Sequence, residues 1–124
     1  MLALEHLHRR GHTALSLAHT NLLPHLSAEG SRIVTLAGRA GMTKQAAGQL
    51  VAELEKHGYL ERQADPQDGR AVRVAFTAAG WQYLLDAQEI KRAIEQEYRE
   101  RLGELLWTQL NDALRILVDG APES

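Results

Sequence analysis

The sequence lacks cysteine altogether and is poor in aromatic residues, which make up 5% of its 124 residues. The absence of cysteine excludes disulfide bonds, thiol redox sensing and cysteine-ligated zinc. No apolar run approaches the ~18 residues that a membrane-spanning helix needs, and the first residues contain no apolar segment of signal-peptide length. These absences predict a cytoplasmic protein whose core is built mainly from aliphatic side chains.

Motifs that support catalysis are missing as well. There is no nucleophile elbow and no P-loop, because Gly38 and Gly41 lie between two predicted helices and do not follow a strand. The acidic residues between positions 86 and 104 have the spacing of a solvated helix face. The sequence therefore predicts a protein that is not an enzyme and that binds no cofactor.

Six histidines raise the alternative of a metal site. His6, His8 and His12 cluster near the N-terminus, and His19 and His25 follow. Zinc needs about three or four converging ligands. Gly11 lies between His8 and His12 and is expected to break the helix that would bring them to one face. Solvated histidines are the simpler interpretation, and no metal site is predicted.

Charge is distributed unevenly along the chain, although the net charge is only -2. Residues 32–73 contain seven basic and five acidic side chains, whereas residues 74–124 contain five basic and nine acidic ones. A DNA-binding middle region followed by an acidic assembly region has this distribution, and so does a random scatter of surface charge.

Apolar periodicity predicts a mostly α-helical chain with one β-hairpin. In the clearest helix, Thr43 is the N-cap, Gly58 is the terminating glycine, and the apolar face consists of Ala46, Ala47, Leu50, Leu54 and His57. The predicted elements are, in order, helices at 2–10 and 13–26, a very short strand at 32–34, helices at 35–40 and 43–57, strands at 59–62 and 71–76, and helices at 78–102 and 104–118.

Residues 35–57 have the pattern of a helix-turn-helix. A small residue at Ala37 allows the two helices to pack closely, and Gly41 is able to adopt the positive φ that the turn needs. Ala47 and Leu50 supply apolar contacts inside the second helix. An ordinary helical hairpin with a glycine turn has the same pattern, so the motif alone does not establish DNA binding.

The hairpin that follows makes the pattern more specific, because its tip is rich in turn residues. This part of the chain resembles the MarR family of bacterial regulators, whose hallmark is a D-P-x-D-x-R wing preceded by an L-E-x-x-G-Y/L segment. The matching residues are Leu54-Glu55-Lys56-His57-Gly58-Tyr59 and Asp65-Pro66-Gln67-Asp68-Gly69-Arg70, with further similarity at Met42-Thr43-Lys44-Gln45-Ala46 and Thr77-Ala78-Ala79-Gly80. The resemblance covers roughly residues 12–118 and implies a winged helix-turn-helix fold.

The resemblance and the residue chemistry together predict a DNA-binding surface. Glutamine is able to contact adenine with two hydrogen bonds, lysine suits a phosphate, and an arginine on a thin hairpin suits a narrow minor groove. The residues expected to contact DNA are Thr43, Lys44, Gln45, Gly48, Gln49, Arg70 and Arg73, and those expected to shape the wing are Asp65, Pro66 and Asp68. Family members often carry a second basic residue where this chain has Gly69, which predicts a weaker minor-groove contact.

A near-heptad apolar seam in the C-terminal helices predicts a dimer interface. Its residues are Leu84, Ile94, Tyr98, Leu102, Leu106, Leu110 and Leu114. In the family a long first helix contributes to the dimer, whereas here about ten residues precede Gly11. The resemblance also implies a small-molecule site, for which Trp81 and Tyr83 are candidates as an aromatic effector pocket. The simpler interpretation places these aromatic rings in the core or the interface.

The sequence thus predicts one domain over residues 1–124, with a helix-turn-helix at 35–57, a wing at 59–76 and dimerisation helices at 2–10 and 78–118. The expected protein is a mainly α, winged helix-turn-helix homodimer that represses or otherwise regulates transcription. It binds double-stranded DNA at a pseudo-palindromic operator and responds to a small aromatic effector. The alternative is a winged-helix protein-interaction module that has lost DNA binding.

Overall fold

The computed structural model of the protein describes residues 2–119, and its contacts divide the chain into two compact units, Met1–Gln88 and Glu89–Ser124. Helices and strands follow the order α1 (Leu2–Arg9), α2 (Leu17–Leu22), a 3₁₀ turn (Leu23–His25), α3 (Ile33–Ala40), α4 (Lys44–Lys56), β1 (Leu60–Ala64), β2 (Val72–Phe76) and α5 (Ala78–Asp119). The predicted fold class, mainly helical with one two-stranded sheet, is confirmed.

The second helix is shorter than the predicted span of 13–26. It begins after Ser16, whose hydroxyl accepts a hydrogen bond from the backbone N–H of His19. The backbone N–H of Ser16 in turn donates to Nδ1 of His19, at 2.9 Å, so the two residues form a capping box. The helix ends in the 3₁₀ turn that contains Pro24, because proline does not fit the interior of an α-helix.

The predicted strand at 32–34 is wrong, since α3 begins at Ile33. The extended pairing lies one residue earlier, where Ser31 and Val74 exchange two backbone hydrogen bonds of 2.9 Å in an isolated bridge. Gly30 permits this approach, because a Cβ there would stand 2.9 Å from the Val74 carbonyl oxygen. A short loop before α3 is therefore fastened to the wing.

The helix-turn-helix has the predicted turn, with Gly41 in the left-handed conformation at φ 67°. Thr43 caps α4 by accepting the backbone N–H of Ala46, at 3.1 Å. The predicted apolar face is rotated, however, because the buried residues of α4 are Ala47, Val51 and Leu54. Ala46 and His57 are exposed and Leu50 is half-buried. Val51 fits the i, i+4, i+7 spacing that the packing against α2 and α3 selects.

The wing is an antiparallel hairpin, as predicted, with strand ends shifted by one or two residues. Leu60 pairs with Phe76 at its base and Ala64 with Val72 near its tip. Leu60, Val74 and Phe76 are buried, whereas the tip residues 66–70 are all exposed. The hairpin is thus anchored in the core at one end and surrounded by solvent at the other.

Helix α5 starts after Thr77, whose hydroxyl accepts the backbone N–H of Gly80 at 3.2 Å. It is broken at Gly103, which has φ 79° and ψ 160°, as the sequence predicts. Across the break, the guanidinium of Arg99 lies 5.5 Å from the centre of the Trp107 ring. No helix in residues 2–119 is both long enough and apolar enough to cross a membrane.

A candidate DNA-binding surface on α4 and the wing

One face of α4 is polar and unobstructed. Lys44, Gln45 and Gln49 are exposed, and Gly48 lies half-buried beside them. A Cβ on Gly48 would meet no atom within 4 Å, so the surface is open at this point. The hydroxyl oxygen of Thr43 already accepts the hydrogen bond that caps the helix. The face therefore presents one ammonium group and two amide side chains at the start of the helix.

The wing tip is closed by its own acidic residues. One carboxylate oxygen of Asp65 accepts the backbone N–H of Gln67 at 2.9 Å, and Asp68 accepts the backbone N–H of Arg70 at 3.1 Å. The Gln67 N–H and the guanidinium of Arg32 hold the pKa of Asp65 below its ordinary value. Pro66 lies exposed between the two aspartates. The carboxylates thus serve backbone donors and do not face outward as bare charges.

Arg32 contacts the wing tip, although the sequence did not single it out. Its Nε donates to Asp65 Oδ2 at 2.9 Å, although 33 positions separate the two residues. Arg62 on β1 makes the same kind of contact with Glu55 on α4, at 2.8 Å. The sequence predicted that Asp65 shapes the wing, but no local pattern identifies which arginine lies opposite it.

The two arginines predicted to contact DNA from the wing have different surroundings. Arg70 is exposed at the tip, and its guanidinium makes no hydrogen bond or ion pair with residues 2–119. Arg73 is half-buried and lies along the loop at Gly30, where a Cβ would stand 3.2 Å from its Cδ. The Nε of Arg73 is buried without an acceptor in the described chain. Of these two arginines, Arg70 is therefore the more exposed and the better placed to meet a ligand.

The histidines are only partly solvated as predicted, since His25 is exposed but His12 and His19 are buried. His12 is 7% exposed and lies between the hydroxyl of Tyr59, 2.6 Å from Nδ1, and Asp86, 2.6 Å from Nε2. Hydrogen bonding to His12 lowers the pKa of Asp86, and burial raises that of Tyr59. Asp86 is thus a partner of His12 and not part of a solvated acidic face. The prediction failed because the two residues lie 74 positions apart.

His8 and His19 are likewise engaged. The Nε2 of His8 lies 2.8 Å from the carbonyl oxygen of Leu15, and the Nε2 of His19 lies 2.9 Å from Oε1 of Glu53 on α4. Because Nδ1 of His19 accepts the backbone N–H of Ser16, its Nε2 carries the proton. Within residues 2–119 no three histidine, aspartate or glutamate side chains are arranged to hold a metal ion.

The two aromatic residues predicted to form an effector pocket lie in different environments. Tyr83 is 3% exposed and its ring meets those of His12 and Tyr59 edge-on. Trp81 is 43% exposed and packs on Phe76, with ring centres 5.1 Å apart. The structure therefore places Tyr83 in the core and leaves part of the indole accessible.

The residues predicted to form a dimer interface are incompletely covered. Leu84 and Ile94 are half-buried, and the other five are exposed. Exposed apolar neighbours extend the surface in the last part of α5, at Leu105, Ile116, Leu117 and Val118.

A glycine turn between two helices, a capped second helix with a polar outer face and a two-stranded wing define a winged helix-turn-helix protein. Residues 14–71 match the model of the MarR family, and no curated protein sequence matches the chain significantly. The protein is therefore similar to the MarR family over residues 14–71, and solved structures that share its fold are named as transcription regulators.

Solved structures share the fold over most of the chain. A MarR family transcription regulator matches with a TM-score of 0.77 and 19% identity, over 93% of this chain and 75% of its own. A MepR mutant from S. aureus bound to an oligodeoxyribonucleotide gives 0.67 and 21%, over 95% and 86%. PcaV from Streptomyces coelicolor, in complex with its natural ligand, gives 0.60 and 23%, over 86% and 76%.

Proposed function

We propose that this protein is a sequence-specific transcription regulator that binds double-stranded DNA with α4 and the wing. The observation that carries the proposal is the open polar face of α4 beside a wing whose tip arginine is free. In this arrangement α4 enters the major groove, where Gln45 and Gln49 contact base edges, and Arg70 enters the neighbouring minor groove. Thr43, Lys44 and Gly48 lie against the DNA backbone, together with the end of Arg73 that remains accessible.

The active form is a homodimer. A helix-turn-helix protein recognises a pseudo-palindromic operator by placing two copies of its recognition helix about one DNA turn apart. The exposed leucines at 106, 110 and 114 recur every four residues along one side of α5, and an apolar patch of this kind marks a contact surface. A second copy of the chain is its proposed partner, since a symmetric operator requires one.

Repression is the proposed mode of regulation, with a small aromatic effector that changes the spacing of the two recognition helices. The solved structure of PcaV contains its natural ligand, and the MepR structure contains an oligodeoxyribonucleotide. Trp81 offers the effector exposed ring surface, whereas Tyr83 is already enclosed. The proposed effector site is thus centred on the indole and not on both rings.

The test is a titration of the purified protein against labelled genomic fragments that flank its gene, with excess unlabelled random duplex and increasing salt. We expect one inverted repeat to be retained against the competitor, with an affinity that falls steeply as salt rises. Failure to bind any duplex at low salt overturns the proposal and favours a protein-interaction module. Equal affinity for every fragment retains DNA binding but contradicts sequence specificity.

A further inference from the structure

A cavity of about 320 Å³ lies between the start of α3, the start of α4 and the two strands of the wing. We call it the basin, and its lining residues are Arg32, Ile33, Val34, Lys44, Arg62 and Val72. Half of these side chains are cationic and half are aliphatic, and none is acidic. Residues from the start of α3, the start of α4 and the wing therefore bring positive charge to one concave surface.

The two arginines of the basin are held in place by carboxylates behind them. Arg32 contacts Asp65 and Arg62 contacts Glu55, in each case through Nε alone. A guanidinium carries five N–H donors, so four remain on each arginine for a ligand. Lys44, on the first turn of α4, makes no hydrogen bond or ion pair with residues 2–119. The basin thus combines two guanidinium groups, each held by a carboxylate, with one ammonium group that has no partner in residues 2–119.

The position of the basin indicates what occupies it. If α4 lies in a major groove and the wing tip meets the adjacent minor groove, the sugar–phosphate strand that separates these grooves runs between them. The basin lies at that place, between Lys44 on α4 and Arg62 on β1. Its cations match the phosphate oxygens, and the aliphatic side chains of Val34 and Val72, 60% and 48% exposed, match the deoxyribose.

We propose that the basin is a binding site for the DNA backbone, in which Arg32 and Arg62 hold a phosphate between the two grooves. This inference rests on the proposed function and adds two residues to it that neither the helix-turn-helix nor the wing tip supplies. Such contacts carry no sequence information, but they fix the orientation of the protein on the duplex. Glu55 and Asp65 act as positioning residues, since they touch the arginines and not the DNA.

The experiment measures binding of a random-sequence 30-base-pair duplex by fluorescence anisotropy at several salt concentrations. The variants are Arg32→Gln, Arg62→Gln, the double variant and Arg62→Lys. Arg101→Gln is the matched control, because Arg101 is also an exposed arginine paired with a carboxylate, Glu97, at 2.6 Å. Melting temperatures verify folding, which we expect to persist because both basin arginines are nearly half exposed.

Loss of one phosphate contact lowers the slope of log affinity against log salt by about one unit. We expect a decrease of about one unit for each glutamine variant and about two for the double variant. Arg62→Lys retains the charge and should keep the wild-type slope, as should Arg101→Gln. If the arginines only brace the wing, Arg62→Lys and Arg62→Gln behave alike and the slope does not change, which overturns the proposal.

Two further outcomes separate this inference from others. If the wild-type protein binds no duplex even at low salt, the proposed function fails, and the basin proposal fails with it. If the wild type binds DNA but the glutamine variants retain its slope, only the basin proposal fails. A rise in the melting temperature with inorganic phosphate that depends on Arg32 and Arg62, without any change of DNA slope, identifies a site for free anions and overturns the assignment to the DNA backbone.

Discussion

The two units of the chain differ in where they place their apolar side chains. In residues 2–88, Leu22, Leu36 and Leu54 are at most 1% exposed. In residues 89–119, Leu105, Leu117 and Val118 are more than 70% exposed. The first unit thus forms a core from its own residues, whereas most of the apolar surface of the second is uncovered in the single chain.

From this difference we expect the two units to have different roles. The surface of the first unit is polar where α4 and the wing tip are exposed, as expected for a surface that meets DNA. The exposed apolar surface of the second unit favours burial against another chain, because removal of apolar area from water stabilises an assembly. Changes in the second unit should therefore affect assembly, and changes on the first should affect DNA binding or its own stability.

The largest effect is expected for a charge placed in the exposed apolar stripe. Leu110 is 42% exposed in the single chain, so Leu110→Asp costs little there but buries an unpaired carboxylate in a dimer. We expect monomers, or unfolded chains if the second unit is ordered only by its partner, as measured by light scattering and circular dichroism. Gln109→Asp, at the adjacent exposed position, should remain dimeric. A folded Leu110→Asp dimer would locate the interface elsewhere.

A smaller effect is expected on base recognition by the first unit. Gln45→Ala and Gln49→Ala should each weaken binding to the specific operator by ~1–3 kcal/mol and relax base preference, because a bidentate contact is lost. Affinity for random duplex, melting temperature and dimer mass should barely change. Gln88→Ala, which removes an exposed glutamine from α5, serves as the control. Equal losses on specific and random DNA would show that the two glutamines do not contact bases.

Arg70→Ala tests whether the wing tip of the first unit contacts DNA. Because the guanidinium has no partner in residues 2–119, its removal should leave the melting temperature nearly unchanged. If it enters the minor groove, affinity should fall and the salt slope should decrease by about one unit. An exposed brace to Asp68 would be worth only about 0–1 kcal/mol and would not alter the slope. Wild-type affinity and slope in Arg70→Ala would contradict the role of the wing.

The smallest effect concerns pH and the pair formed by buried His12 and half-buried Asp86. The pKa of Asp86 is lowered in the folded chain, chiefly by the hydrogen bond from His12. A depressed carboxyl pKa stabilises the fold above the unfolded value of about 3.9, and the contribution is lost as pH falls through the folded pKa. Urea unfolding should show Asp86→Asn to be less stable than wild type at pH 7, with the difference narrowing at pH 3. A difference independent of pH would contradict this linkage.

Local sequence signals predicted the elements on which the site depends. Thr43 and Gly41 marked the start of α4 and the turn before it, and the turn-rich tip at 65–70 marked the wing. Contacts between distant positions were not predictable in this way. The pairs Arg32–Asp65 and His12–Asp86 have no common periodicity, and the choice of Val51 over Leu50 for the core depends on how α2 and α3 pack against α4.

Gly80 allows the first turn of α5 to lie against the base of the wing. The first turn of α5 lies very close to the base of the wing. A Cβ on Gly80 would collide with the Tyr59 carbonyl oxygen and stand 2.9 Å from the Phe76 ring. The backbone N–H of Thr77 donates to that same carbonyl at 3.1 Å, and its hydroxyl donates to Gly58. The junction between the end of α4, the base of the wing and the first turn of α5 is therefore closely packed around the main-chain carbonyls of Gly58 and Tyr59. Any side chain at position 80 would therefore force the first turn of α5 away from the base of the wing.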